Sequence, residues 1–148
     1  MQRLYLEDLA VGQRFESRVL QVDADAIKAY AREFDPQPFH LDEEAAKSTF
    51  FGGLAASGWH TASLTMRLIV ESVPFAGGVI GSGGELSWPR PTRPGDRLRV
   101  VSEVLEITPS RSRPERGMVL MRSTTLNQND EPVQVVSPKC MVQRRPQD

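Results

Sequence analysis

Two segments carry residue types that can move protons and hold a developing negative charge. The first, FDPQPFH, runs from Phe34 to His40 and spaces Asp35 and His40 five residues apart. An imidazole titrates near neutrality, and a carboxylate can orient it or share a bound water with it. Such a pair does acid/base work only if both groups stay within hydrogen-bond reach of one reacting water or proton. Pro36 and Pro38 stiffen the intervening backbone, which lowers the entropy spent holding that geometry. The second segment, FFGGLAASGWHTAS, runs from Phe50 to Ser63 and contains a helix start. Ser57 is a good N-cap residue, so the amide N–H groups of Gly58 and Trp59 would be unpaired donors at the positive end of a helix dipole. Glycine lets a ligand approach the backbone closely, and donors so placed can stabilise an oxyanion. The chemistry on offer is proton transfer beside a carbonyl whose oxygen collects charge.

Each segment has a plainer reading beside the chemical one. Asp35 can simply end a helix in an Asp-Pro turn while His40 fills a surface site. GGLAASG can be a tight packing loop, with Gly58 giving clearance to a neighbouring helix. His60 falls in the first turn of the helix, where the dipole disfavours an imidazolium; it ranks below His40 as an acid/base group and fits packing equally well. Ser63, one turn on, could line a pocket or merely pack. Trp59 is bulky enough to be a core anchor or a wall that shortens a substrate pocket.

The elements that must position these residues are legible from pattern. RFESRVLQV reads as a first strand. Asp23 then opens DADAIKAYAREF, where Ala24, Ile27, Tyr30, Ala31 and Phe34 recur at helical spacing until Pro36 stops the helix. Asp42 can cap a short helix, EEAAKS. From Gly58 to Val73 the chain is apolar over most of a helical circumference, with Arg67 and Glu71 as a narrow polar strip, which predicts a central helix wrapped by other structure. GGVIGSGGELSW, DRLRVVSEVLEI, GMVLMRSTTLNQ and EPVQVVSPKCMV are four strands separated by turn-rich stretches, consistent with an antiparallel meander. A sheet curled around one long helix satisfies both patterns and belongs to the α+β class.

Composition excludes several function classes. A chain of 148 residues fits one domain, residues 1–148, and can bury a core without metals or disulfides. A net charge of −1 with 25% charged residues argues against a nucleic-acid partner. Cys140 is the sole cysteine, so no intramolecular disulfide can form, and no Cys/His cluster offers a metal enough ligands. A reducing cytoplasm is the simplest compartment. Residues 1–13 lack the pattern of a secretory signal, and no run approaches membrane-spanning length.

Taken together the two segments resemble the MaoC-like dehydratase family, whose best-known members are (R)-specific enoyl-CoA hydratases with the hotdog fold. The family pattern is an aromatic residue, then Ser-Gly-Asp-x-Asn-Pro-aliphatic-His, with a small residue further on. Tyr30, Asp35, Pro38, His40 and Ala46 of YAREFDPQPFHLDEEAA fall in place. The downstream phenylalanine, small-residue run and His-Gly-Met resemble FGGLAASGW, and LSWPRPTRPGDRL is similar to the family's strand, proline and Pro-Gly-Asp turn. The likeness covers nearly the whole chain. Glu33 and Phe34 stand where Ser-Gly is usual, Gln37 replaces Asn, Phe39 an aliphatic, Ser57 the histidine and Trp59 the methionine.

The resemblance implies an antiparallel sheet wrapped around a long central helix, and reversible addition of water across the 2,3-double bond of an enoyl-CoA to give a 3-hydroxyacyl-CoA. It assigns Asp35 and His40 to an acid/base pair that holds a water, and Gly58 N–H to the thioester carbonyl. Ser57, Trp59 and Ser63 then border the substrate. It requires no metal or other cofactor, and implies at least a homodimer with sheets joined edge to edge, an acyl-CoA thioester as partner, and no nucleic acid or membrane. Arg90, Arg93 and Arg97 are candidates for the coenzyme A phosphates, or a solvated basic loop. A hotdog acyl-CoA thioesterase and a non-catalytic acyl-thioester-binding subunit are the alternative functions, the first distinguished by release of free thiol.

Overall fold

The computed structural model describes residues 2–147. Helix α1, Ala24–Phe34, starts where Asp23 accepts the Ala26 N–H at 2.7 Å and buries Ile27 and Ala31. It stops at Asp35, as expected from the clash that a proline imposes on the residue before it. The stretch after it closes into one helical turn, α2, Pro38–Leu41, with Pro38 in the first turn, where its missing N–H costs nothing. Asp42 caps α3, Glu43–Lys47, by accepting the Glu44 and Ala45 N–H groups at 2.8 and 3.0 Å. Helix α4, Gly58–Ser72, is capped by the Ser57 hydroxyl, which accepts the Trp59 N–H at 3.3 Å.

Six strands form one antiparallel sheet: β1 Arg14–Glu16, β2 Leu20–Gln21, β3 Ile80–Ser87, β4 Arg97–Pro109, β5 Arg116–Leu126 and β6 Pro132–Gln143. The spatial order is β1-β4-β5-β6-β3, with β2 also on β4. Three features differ from the sequence reading. RFESRVLQV is two short strands on β4, not one, because pairing lapses between Glu16 and Leu20. The last four strands are not a simple meander: β3 pairs with β6, and the chain from Ser87 to Arg97 crosses the end of the sheet to begin β4 on the far side. That crossover carries residues 88–96 past the start of α4. Gly95 takes a φ of 85°, and the buried Asp96 carboxylate accepts the Arg93 N–H at 2.8 Å, which fixes the turn.

The sheet packs on one side of α4. Thr61, Thr65, Leu68 and Ile69 are buried, and the core around Leu68 includes Ile27, Leu98, Val100, Val104, Val119, Val133 and Val142. The third difference lies on the opposite side: Trp59, Met66 and Val70 are 59%, 50% and 55% exposed. A helix apolar almost all round is therefore only half covered by its own chain. Every residue of β3 is exposed as well. Among the described residues, no helix is long and apolar enough to cross a membrane.

Candidate active site

Three segments distant in sequence are tied together around the N-terminus of α4. The Ala55 N–H donates to Phe39 O at 3.0 Å, and the Ala56 N–H donates to Thr92 O at 2.9 Å. Arg93 donates through its guanidinium to the carbonyls of Gly53 (3.0 Å), Leu54 (3.3 Å) and Phe51 (2.5 Å). A planar fork satisfying three loop carbonyls explains how a glycine-rich loop keeps one shape. Thr61 of α4 closes the set by donating to the Thr92 hydroxyl at 2.9 Å, and both residues are buried.

Within this frame, His40 is buried and its Nδ1 lies 2.6 Å from Ala55 O. A carbonyl only accepts, so Nδ1 carries the hydrogen and Nε2 of the neutral ring presents its lone pair. Nε2 lies 3.3 Å from Asp35 Oδ2. Two acceptors facing each other repel unless something donates to both, or unless the ring is protonated. Burial by itself pushes the Asp35 carboxyl up, but contacts from the Ser57 hydroxyl and the Gln37 amide, with a smaller electrostatic contribution from the neighbouring His40, outweigh it and hold the pKa below its ordinary value. The Gln37 Nε2 donates to Asp35 Oδ1 at 2.5 Å. Asp35 is thus a carboxylate at neutral pH.

Gly58 opens α4, and among the described residues its N–H donates to no protein acceptor. It borders a cleft of ≈ 430 Å³, the size of a small-ligand site, lined by His40, Phe51, Thr61, Trp88 and Arg90 among others. Asp35 is not among the lining residues but reaches His40 Nε2 with its Oδ2. The combination of a carboxylate, a lone-pair imidazole nitrogen and an unpaired helix N-terminal donor supports proton transfer to and from a water beside a polarised carbonyl.

The fold brings Asp35, His40, Ser57 and Gly58 together. Ser57 is fully buried, and its hydroxyl serves both the helix cap and the Asp35 carboxylate. Trp59 and Ser63 lie on the exposed face of α4, outside the cleft of the single chain, where Ser63 donates to Trp59 O at 2.9 Å. His60 is buried and stacks on Tyr30 at 4.7 Å between ring centroids, with planes 7° apart. Its Nδ1 has no partner among the described residues, and burial lowers its pKa against a weaker opposing pull from Asp23. Of the three arginines, Arg93 is committed to the loop carbonyls and Arg97 is exposed at the start of β4, away from the cleft lining. Arg90 does line the cleft, with Nη1 3.2 Å from Glu131 Oε2. Sequence reading missed Trp88, Thr92 and Gln134. Only the crossing of β3 to β4 brings the first two to the cleft, and no local pattern announces that crossing.

The antiparallel sheet packed on one long helix is that of a hotdog-fold protein of the α+β class. The chain belongs to the MaoC-like family: the model of the MaoC like domain matches residues 8–125. The crystal structure of a MaoC-like dehydratase from Rhodospirillum rubrum superimposes with a TM-score of 0.96 at 64% identity, covering 97% of this chain and 99% of that one. The protein YdeM of Bacillus subtilis is 36% identical over 128 residues, 84% of this chain and 89% of YdeM. A 3-hydroxybutyryl-CoA dehydratase of Methylorubrum extorquens is 35% identical over 111 residues, 74% of this chain and 69% of that protein.

Proposed function

We propose that the protein is an enoyl-thioester hydratase/dehydratase, interconverting a 2-enoyl-CoA and a 3-hydroxyacyl-CoA. The observation that carries this reading is the pinning of His40: Ala55 O fixes the hydrogen on Nδ1, so the Nε2 lone pair faces the Asp35 carboxylate. A water set to one side of the pair, within reach of both atoms, donates one hydrogen to each. In hydration, its oxygen attacks Cβ of the enoyl group as one of its protons passes to the Asp35/His40 pair. Charge moves through Cα onto the thioester oxygen, where the Gly58 N–H receives it. The pair then returns a proton to Cα. Dehydration is the reverse, and the sum is one water added or lost with no redox change.

Coenzyme A suits a cleft whose rim carries Arg90, although the ion pair with Glu131 must loosen for that guanidinium to meet a phosphate. A homodimer accounts for the exposed β3 edge and the apolar face of α4, both of which a second copy would cover.

The test follows hydration of a panel of trans-2-enoyl-CoA thioesters by loss of enoyl absorbance, with thiol release recorded in parallel. The expected outcome is loss of absorbance without thiol, reduced by roughly 10²–10⁴-fold in Asp35→Asn. Thiol release would replace this reading with a thioesterase, and binding without turnover would replace it with an accessory subunit.

A further inference from the structure

Trp88 follows β3 directly, and the register that pairs Ser87 with Val135 puts it opposite Gln134 of β6. Its indole N–H donates to Gln134 Oε1 at 2.8 Å, and Gln134 is itself 2% exposed. The ring lies against Gly58 so closely that a Cβ there would sit 2.8 Å from Cδ2, Cε2 and Cζ2. Trp59 meets it edge-on, with centroids 5.2 Å apart and planes at 85°. A donor bond at one point, a helix backbone beneath and a second indole outside hold the ring on three sides, and it stays 40% exposed on the remaining one.

What lies to either side gives that position a consequence. Trp88 lines the cleft that also contains His40 and Gly58. Further along the same face of β6, past Gln134, Val136, Pro138 and Cys140 line a separate apolar space of ≈ 60 Å³. It is also lined by Met66 and Ile69, on the turns of α4 that follow Gly58 and Thr61, and by Val73 just past the helix end. Cleft and apolar space therefore lie along one helix, with two side-chain pairs between them, Trp88 with Gln134 and Thr65 with Thr125.

We propose that Trp88, clamped by Gln134, is the wall that separates the cleft from the apolar space under α4 and so restricts the enzyme to short acyl groups. This rests on the enoyl-thioester reading of the cleft. It moves the length-limiting role from Trp59, which sequence suggested, to a residue that Trp59 merely buttresses. An acyl chain attached to a thioester held at Gly58 meets the indole within a few carbons; without the indole it gains the volume of the ring and can continue beside the Thr65–Thr125 pair toward the apolar space, where added methylenes are buried among apolar side chains.

The experiment compares crotonyl-CoA with trans-2-decenoyl-CoA as substrates for the wild type, Trp88→Ala and Gln134→Met. In parallel, calorimetry measures binding of the unreactive butyryl-CoA and decanoyl-CoA. Trp88→Ala is expected to raise the long-to-short ratio of kcat/KM, and of affinity, by roughly tenfold or more. Gln134→Met keeps the indole and removes only its acceptor, so it should move both ratios the same way by less. It also serves if Trp88→Ala does not fold. A merely structural Trp88 would lower activity on both substrates alike, and unchanged ratios in the folded variants overturn the proposal. If the wild type hydrates neither substrate but the affinity ratio shifts, the hydratase reading fails and the wall stands.

Discussion

At the scale of single residues, Ser57 links the helix to the Asp35 carboxylate, half of the proposed acid/base pair. Its hydroxyl caps α4 and also contributes to keeping Asp35 ionised, against a burial cost that by itself pushes the carboxyl up. Ser57→Ala removes that donor, so the Asp35 pKa should rise, as read by carbon NMR titration of the carboxyl. The direction also sets a stability effect. A carboxyl whose folded pKa is depressed contributes stability above its unfolded value of about 3.8, lost as pH falls through the folded value. Ser57→Ala should therefore show less of this acid-dependent loss below pH 4 than the wild type. An unmoved Asp35 titration would mean that Gln37 and His40 alone hold the carboxylate.

At the scale of the element, α4 carries two jobs that its sequence keeps on different faces. One face ends in Gly58 and buries Thr61, Thr65 and Leu68 against the sheet, with Thr65 and Thr125 hydroxyls 2.7 Å apart. His60 is the exception, since its buried Nδ1 has no partner and burial makes protonation unfavourable. A histidine with a depressed folded pKa contributes stability above its unfolded pKa of about 6.5, and that contribution is lost as pH falls below it. His60→Phe keeps a ring against Tyr30 and removes both the unpaired nitrogen and the titration. It should gain about 1 kcal/mol at neutral pH, and more relative to wild type at pH 5. Denaturant unfolding at the two pH values measures it; an identical gain at both would show that His60 is not the group that titrates.

At the scale of the whole molecule, the chain leaves a surface that a monomer has little reason to keep. Trp59, Met66 and Val70 form an exposed stripe on α4, while β3 offers an eight-residue edge open along its length. A strand so exposed is a template for pairing with another chain unless something covers it. The expectation is a particle of twice the chain mass by light scattering, shifted toward the monomer by Val70→Glu, which sets a charge in the apolar stripe. A wild-type monomer at micromolar concentration would remove the dimer from the functional reading.

The sequence by itself determined the local events: Asp23, Asp42 and Ser57 as caps, Pro36 as a stop, and Asp35, His40 and Gly58 as the residues to watch. Those signals are legible because each acts through backbone within a few residues. Alternation likewise marked the long strands, but not their order, because pairing partners are chosen by burial across the chain. Tertiary structure decided that β3 lies beside β6 and that Ala55 sets the His40 tautomer. It also turned Arg93 inward to three loop carbonyls, and placed Trp88 rather than Trp59 against Gly58 inside the cleft. Each of those outcomes depends on a contact between segments far apart in sequence, where residue type states what a side chain can do and only packing states what it meets.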